Sequence, residues 1–202
     1  MSLDEFASDS RDLGVYRPSE PVEELAARLR IPVDRIIKIN ANENLFLPKP
    51  TLQRVLAEAA AETDPRLYPG REEAVLAGKL ARLHGASPDQ IVLAAGGDPI
   101  IDLAMSSLLK QGDTVLVVTP TFSMYPRTAK IKDLTYRVVS LDDRFEFDGD
   151  RVLEASEGAD LVVLCNPNNP TSNQFPRAEV MKVVDGFQGF MLIDEAYAEY
   201  GE

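Results

Sequence analysis

An aspartate closes one of the most apolar segments of the chain. Asp194 directly follows the run FMLI (190–193), so its carboxylate is expected to be partly desolvated. A carboxylate in such a place needs a cation or several hydrogen-bond donors. Taken alone, the position favours an ordinary role in which Asp194 caps a helix beginning at Glu195. The functional alternative pairs it with a cationic ring nitrogen.

A second unusual segment, NPNNPT (166–171), follows the apolar run LVVLC (161–165). Its two prolines stop any strand or helix. A surface turn needs only one asparagine and one proline, so this segment carries more polar groups than a turn requires. The amide of Asn169 and the phenol of Tyr197 can each form a hydrogen bond with one oxygen atom of a ligand. Each residue alone is unremarkable.

Two further loops carry groups that suit a ligand. Gly96 and Gly97 begin a predicted strand-to-helix turn, with Asp98 expected at the N-cap and Pro99 at the first helical position. Free amides at such a helix start bind phosphate, although a tight turn alone would explain the glycines. Phe122 lies in the loop PTFSMY, where an aromatic ring either packs or stacks on a flat ligand ring.

Together these groups match the needs of one cofactor, pyridoxal phosphate. Its phosphate binds amides, its ring stacks on an aromatic side chain, and its 3-oxygen binds donors such as Asn and Tyr. Its pyridinium nitrogen binds a carboxylate, which keeps the nitrogen protonated and makes the ring an electron sink. The sequence therefore predicts a pyridoxal phosphate site.

The elements that position these side chains alternate between strands and helices after Pro88. Apolar runs predict strands at 91–95, 114–119, 134–139, 161–165 and 190–194, and helices are predicted at 99–110, 123–131, 150–156 and 177–186. Continuous Val, Leu and Ile runs are typical of strands buried on both faces, so the alternation predicts an α/β fold with a largely parallel sheet. Ligands bind beyond the carboxyl ends of such strands. The loops after the first, second, fourth and fifth strands are therefore expected to converge on one crevice.

The N-terminal part has a different pattern. Helical periodicity predicts amphipathic helices in PVEELAARLRI (21–31), TLQRVLAEAAAET (51–63) and REEAVLAGKLARLHG (71–85). The run IIKIN (36–40) predicts a short strand that leads into a loop rich in Asn and Pro. Residues 1–20 show no sustained period and are expected to form an arm.

Composition excludes several classes of function. The net charge of -12 argues against a nucleic-acid partner, because neutralising phosphates requires a basic face. The single cysteine and single histidine do not suffice for a Cys/His zinc site, and no other metal site is expected. The chain has no apolar run of about 18 residues and no secretion signal, so we expect no membrane segment and a cytoplasmic location.

The order of several motifs resembles the fold-type-I, pyridoxal-phosphate-dependent aminotransferases and, within them, the histidinol-phosphate aminotransferase group. The matching segments are KINANEN (38–44), YPG (68–70), PTFSMY (120–125), LVVLCNPNNPT (161–171) and DEAYAEY (194–200). The resemblance implies an N-terminal arm with a small-domain segment at residues 1–48. It also implies an incomplete large, cofactor-binding domain at residues 49–202.

Carried over by position, the resemblance gives the strand-end residues separate roles. Asp194 would pair with the pyridine nitrogen, and Asn169 and Tyr197 would contact the 3-oxygen. The amides of Gly97 and Asp98 would bind the phosphate. Asp194 and Tyr197 would be the catalytic residues of this span.

The resemblance also implies contacts made by other parts of the chain. Phe122 would stack on the cofactor ring, and Asn42 and Asn44 would lie near the substrate. Tyr68 would reach the cofactor phosphate of the neighbouring subunit, which implies a homodimer. From sequence alone, a tyrosine that packs at a helix end is an equally good interpretation of Tyr68.

One expected group is absent from the chain, and three positions depart from the family pattern; one is NENLFLPKP (42–50), which lacks the usual Pro and Gly just after its second Asn. The lysine that binds the cofactor covalently lies about thirty residues beyond the aspartate in the family. Here the sequence continues for eight residues after Asp194, so we expect a fragment that is inactive alone. Ser172 stands where the family usually has glycine, and Pro99 where it commonly has an acidic residue.

The resemblance implies transfer of an amino group from L-histidinol phosphate to 2-oxoglutarate, in histidine biosynthesis. Two related activities remain open, those of a threonine-phosphate decarboxylase-like enzyme and of an aromatic aminotransferase. A non-catalytic binding protein that kept the fold is the alternative from a different class.

Overall fold

The computed structural model describes residues 20–201, which form two compact units with a boundary between Lys79 and Leu80. Nearly all of the arm predicted at residues 1–20 lies outside the described part. The functional division predicted after residue 48 stays a prediction.

The first unit contains helices α1 (Val22–Leu29) and α2 (Lys49–Glu62) and most of α3 (Gly70–His84), which confirms the three predicted helices. The strand predicted at residues 36–40 is wrong. Ile37 and Ile39 are about as exposed as in an extended chain, at 86% and 85%, and no strand pairs with them. A short apolar run becomes a strand only where a neighbour supplies a hydrogen-bonded ladder and packing.

The apolar face predicted for α2 is exposed. No residue of this helix is buried, and its larger apolar side chains, Leu52, Val55 and Leu56, are 43%, 50% and 66% exposed. Periodicity therefore predicted the helix correctly, while the burial of its apolar face is not seen. Within residues 20–201, no helix is long and apolar enough to span a membrane.

The second unit is built on a four-stranded, fully parallel sheet. Its strands are β1 (Thr114–Thr119), β2 (Thr135–Ser140), β3 (Leu161–Cys165) and β4 (Phe190–Asp194), in the order β2-β1-β3-β4. The helices that accompany it are α4 (Gly97–Leu108), α5 (Met124–Ile131), α6 (Gly149–Ala155) and α7 (Arg177–Gly186). The predicted α/β class is confirmed, and four of the five strands predicted after Pro88 form within one residue of their expected limits.

The core lies on both faces of this sheet, because successive side chains along a strand point to opposite sides. Val115 and Val117 of β1 pack on one face with Ile101 and Met105 of α4. On the other face, alternate residues of the same strands pack against α6 and α7; this cluster includes Leu116, Val118, Val162, Leu164, Val152, Val180 and Val183. Burial on both sides explains why β1 and β3 are continuous apolar runs.

The strand predicted at residues 91–95 does not form. This segment lies outside regular secondary structure, and Val92 is 63% exposed. None of the four described strands pairs with it. It has the composition of a strand but lacks the neighbouring strand that would complete one.

Candidate active site

The carboxyl ends of β3 and β4 lie side by side in the parallel sheet. Cys165 and Asp194, the last residues of these strands, are partners in the register. Just beyond them, the Asn166 amide donates a hydrogen bond of 2.9 Å to the Asp194 carbonyl oxygen. The sheet itself therefore places the NPNNPT segment beside the predicted catalytic aspartate.

The Asp194 carboxylate is half-buried and held from two sides. Its Oδ2 accepts a hydrogen bond of 2.7 Å from the Tyr125 hydroxyl, and its Oδ1 accepts one of 3.0 Å from the Ala196 amide. Within residues 20–201, no Lys, Arg or His forms an ion pair with it. Each carboxylate oxygen can accept two hydrogen bonds, so both oxygens retain acceptor capacity.

The ordinary role considered for Asp194 is wrong in its detail. No helix begins at Glu195; residues 196 and 197 form a turn, and a short 3₁₀ helix follows at Ala198–Tyr200. The bond from the Ala196 amide to Oδ1 is a local turn of the kind that Asp side chains make with the residue two positions on. Asp194 therefore stabilises a turn through Oδ1, while its Oδ2 accepts the hydrogen bond from Tyr125.

Tyr125 lies wholly inside the protein, with no exposed surface. Burial, followed by the hydrogen bond to Asp194, raises the pKa of its phenol far above the ordinary value. Burial also raises the pKa of the neighbouring Cys165 thiol. Both groups are therefore neutral at physiological pH, and the phenol remains a hydrogen-bond donor to the carboxylate. Phe122 makes an edge-to-face contact with the Tyr125 ring, with centroids 5.9 Å apart.

Two of the three asparagines in NPNNPT form side-chain hydrogen bonds that hold the loop in shape. The Asn166 Oδ1 accepts a hydrogen bond of 2.7 Å from the Phe175 amide, which fixes the return of the loop. Asn168 is 2% exposed, and its Nδ2 donates to the Pro120 carbonyl at 2.9 Å and to the Thr171 hydroxyl at 2.6 Å.

The side-chain amide oxygen of Asn168 links two loops. Its Oδ1 accepts a hydrogen bond of 3.2 Å from the Thr121 hydroxyl. Thr121 lies in the loop after β1, and Asn168 in the loop after β3. With the bond from Tyr125 to Asp194, these contacts join the ends of β1, β3 and β4 into one hydrogen-bonded group.

Asn169 differs from the other two asparagines of the loop, Asn166 and Asn168. Its side chain is half-buried and makes no hydrogen bond with any other described residue. The surplus of polar groups in the NPNNPT segment therefore has a local explanation. Two asparagines build the loop, and the third has an amide available to a ligand.

The start of α4 differs from its prediction. The N-cap is Gly96, and Asp98 and Pro99 lie inside the first turn of a helix that begins at Gly97. Gly96 has φ 104° and ψ 179°, a conformation essentially restricted to glycine, which explains why the cap lies two residues earlier than predicted. A Cβ on Gly97 would meet no atom within 4 Å, and the residue is exposed.

The structure therefore brings together three of the four loops expected to converge. No hydrogen bond among the described residues joins Gly97 or Asp98 to the loops after β1, β3 and β4. Convergence of this fourth loop stays a prediction.

The other candidate residues have varied surroundings. Tyr68 is fully exposed, and Asn44 is exposed as well. Asn42 has φ 52°, in the left-handed region that Asn tolerates better than most residues. Tyr197 is half-buried, and both it and Asn42 interact with other residues. Their roles toward cofactor and substrate stay predictions.

Sequence reasoning missed Tyr125 and Asn168, the two side chains that hold the loops in place. The sequence contains a weak signal for Tyr125, because it belongs to the same strand-end segment, PTFSMY, as the candidate Phe122. Asn168 could not be separated from Asn169 by pattern, since the two are adjacent and identical in type.

Comparison with known proteins agrees with this geometry. The family model described as aminotransferase class I and II matches residues 34–202, so the chain belongs to that family. Among curated relatives, a histidinol-phosphate aminotransferase of Roseiflexus castenholzii is 38% identical over 196 residues, which cover 95% of this chain and 53% of the relative. One of Haloferax volcanii is 32% identical over 199 residues, covering 95% and 55%. The chain thus spans about half the length of the curated relatives it matches.

Solved structures show the same fold. A histidinol-phosphate aminotransferase of Sinorhizobium meliloti, crystallised in complex with pyridoxal-5'-phosphate, superimposes with a TM-score of 0.75 at 26% identity. It covers 93% of this chain and 50% of its own. Cystalysin of Treponema denticola, which contains pyridoxal 5'-phosphate, gives a TM-score of 0.69 at 19% identity over 86% and 47% of the two chains and supports the fold alone.

Proposed function

We propose that the protein binds pyridoxal 5'-phosphate at the carboxyl ends of β1, β3 and β4 and transfers an amino group from L-histidinol phosphate to 2-oxoglutarate. The observation that carries the proposal is the half-buried Asp194 carboxylate, which a phenol and an amide orient but no described cation pairs. A protonated pyridine nitrogen would supply both the missing charge and a hydrogen-bond donor.

The surrounding groups fit the rest of this cofactor. Asn169 offers an unused amide for the 3-oxygen, while Phe122 offers a half-buried aromatic ring. Gly97 and Asp98 offer amides of the first turn of α4, which have no partner within the helix. The proposed set therefore supplies a donor or acceptor for the phosphate, the ring nitrogen and the 3-oxygen of the cofactor.

When bound, pyridoxal phosphate supplies an electron sink next to the amino group of the substrate. Within this chain, Asp194 would hold the proton on the ring nitrogen, and Asn169 and Tyr197 would bind the 3-oxygen. The rigid hydrogen bonds of Asn166 and Asn168 would keep Asn169 in place, so little rearrangement would be needed on binding.

The substrate assignment is supported by the names of the relatives, which are histidinol-phosphate aminotransferases. A direct test is an amino-donor screen of the full-length protein with 2-oxoglutarate as acceptor. L-histidinol phosphate should be the best donor and glutamate the product. Preference for an aromatic amino acid, or release of carbon dioxide from threonine phosphate, would favour the alternative activities. No turnover of any donor would favour a non-catalytic binding protein.

The homodimer also belongs to this proposal. Phe46 is 98% exposed, and Leu52, Val55 and Leu56, which share one face of α2 by their spacing, are exposed as well. An exposed apolar face is typical of an interaction surface. Tyr68, whose phenol is fully exposed, would contact the cofactor phosphate of the partner subunit. Cofactor binding and assembly would then be thermodynamically linked.

Replacing Tyr68 by Phe in the full-length protein tests this role. Loss of the hydroxyl should weaken cofactor binding by about 0.5–3 kcal/mol, the range for hydrogen bonds to neutral or charged partners. The dimer should persist in sedimentation, because one hydroxyl is small beside an obligate interface. Unchanged affinity in an intact dimer would show that Tyr68 has no contact with the phosphate.

A cytoplasmic location is part of the same proposal. The single cysteine supports it, since a chain without disulfides is suited to a reducing compartment. Fractionation of cells that produce the full-length protein would test it.

A further inference from the structure

One contact of the candidate site joins a fully buried side chain to the predicted catalytic carboxylate. The Tyr125 hydroxyl donates to Asp194 Oδ2 at 2.7 Å, while the Ala196 amide donates to Oδ1. One donor on each oxygen fixes the plane of the carboxylate, because rotation about the bond to Cβ would break both hydrogen bonds.

Resting on the proposed function, we propose that Tyr125 is a positioning residue that aims the Asp194 carboxylate at the ring nitrogen of the cofactor. Its hydroxyl would act through Asp194 and would not touch the cofactor. The Ala196 bond is local to the turn after β4, whereas Tyr125 belongs to α5 and lies in the core. Tyr125 would therefore couple the orientation of the Asp194 carboxylate to the packed interior of the second unit.

The surroundings of Tyr125 favour a specific role for the hydroxyl. Its ring packs in the cluster that contains Ile101, Met105, Val115 and Val117, and a phenylalanine would fill that space equally well. A buried hydroxyl without a partner costs free energy, so an apolar ring would be the simpler choice for packing alone. The hydroxyl is instead satisfied by the carboxylate that the proposed chemistry uses.

The same core offers a matched control in Tyr136 of β2. It is half-buried and packs against the same cluster, but its hydroxyl makes no hydrogen bond with a described residue. Tyr125→Phe and Tyr136→Phe therefore remove the same atom from the same core. Thermal unfolding of both variants in the full-length protein would show whether either loses its fold.

The test measures affinity for pyridoxal phosphate and for its 1-deaza analogue, in which carbon replaces the ring nitrogen. Tyr125→Phe should weaken binding of pyridoxal phosphate about tenfold, as expected for one lost hydrogen bond to a charged group. It should leave affinity for the analogue unchanged, because the analogue offers Asp194 no cation. Tyr136→Phe should change neither affinity.

Adding Tyr125→Phe to Asp194→Asn supplies a second readout, which also holds if the single variant is less stable. The tenfold effect should shrink to less than about twofold, since residues that act through one another are not additive. Equal weakening of both ligands by Tyr125→Phe, or an undiminished effect in the double variant, would overturn the inference and leave the proposed function standing. An unaltered protein that binds no pyridoxal phosphate would overturn both.

Discussion

The loops after β3 and β4 and the glycine turn before α4 are proposed to hold opposite ends of one cofactor, and they are built differently. Around Asn168 and Asp194, side chains from three strand ends are joined by hydrogen bonds of 2.6–3.2 Å. At Gly96 and Gly97, no side chain caps the helix and the shape depends on backbone conformation.

This difference predicts which substitutions each region tolerates. In the hydrogen-bonded region, changing one side chain should alter both stability and ligand binding, unless that side chain is free of the network, as Asn169 is. In the glycine turn, only residues that cannot adopt the required backbone conformation should matter. Two single substitutions and two matched pairs of substitutions test this difference between the two regions.

The largest effect is expected at Asp194. In the full-length protein, Asp194→Asn should lower the rate of the first half-reaction by roughly 10²–10³, because a neutral amide cannot hold the pyridinium charge. Rapid-mixing absorbance with L-histidinol phosphate would measure it. A loss of less than about threefold would remove Asp194 from the proposed chemistry.

Asn168 and Asn169 form a matched pair of adjacent, chemically identical residues. Asn168→Ala should lower the free energy of unfolding by about 2–3 kcal/mol, since it breaks three hydrogen bonds of a buried side chain. Asn169→Ala should leave stability within about 0.5 kcal/mol and weaken cofactor binding instead. Denaturant unfolding and a cofactor titration would separate the two, and equal stability losses would contradict the assignment.

Gly96 and Gly97 give the corresponding pair in the backbone-built region. Gly96→Ala should cost about 1–2 kcal/mol of stability, because φ 104° is strained for any residue with a Cβ. Gly97→Ala should be tolerated within about 0.5 kcal/mol, as its Cβ would meet nothing within 4 Å. If both variants bind phosphate-bearing cofactor and unfold alike, backbone conformation does not govern this turn.

Ser172 gives the smallest expected change and lies in the hydrogen-bonded loop. It has φ 57°, in the left-handed region, at the position where the resembling family usually has glycine. Ser172→Gly should therefore raise the free energy of unfolding by about 0.5–1 kcal/mol, as measured by denaturant unfolding. Destabilisation would mean that the serine side chain contributes more than its backbone strain costs.

Two apolar runs show how far the fold could be predicted from sequence. LVVLC at 161–165 and IVLAA at 91–95 have similar composition, and both were predicted as strands. The first forms β3, buried on both faces between β1 and β4; the second has no strand partner and leaves Val92 exposed. Local pattern predicts the tendency to extend, but the partner that completes a strand is a property of the tertiary structure.

The candidate site follows the same division. Asp194 and Asn169 are candidates from the sequence because they follow apolar runs, and strand ends meet at one edge of a parallel sheet. Tyr125 contacts a residue 69 positions away in the sequence, and Asn168 contacts one 48 positions away. Periodicity within a single helix or strand cannot reveal such contacts. The N-cap was misplaced because only the observed φ of Gly96 distinguishes it from Asp98.

A crystal structure of the full-length protein with pyridoxal phosphate tests the central claim most directly. The proposal predicts that an Asp194 carboxylate oxygen lies within hydrogen-bond distance of the ring nitrogen while Oδ2 still accepts from Tyr125. It also predicts the 3-oxygen on Asn169 and the phosphate on the amides of Gly97 and Asp98. A cofactor bound elsewhere, or a ring nitrogen facing a group other than Asp194, would contradict it.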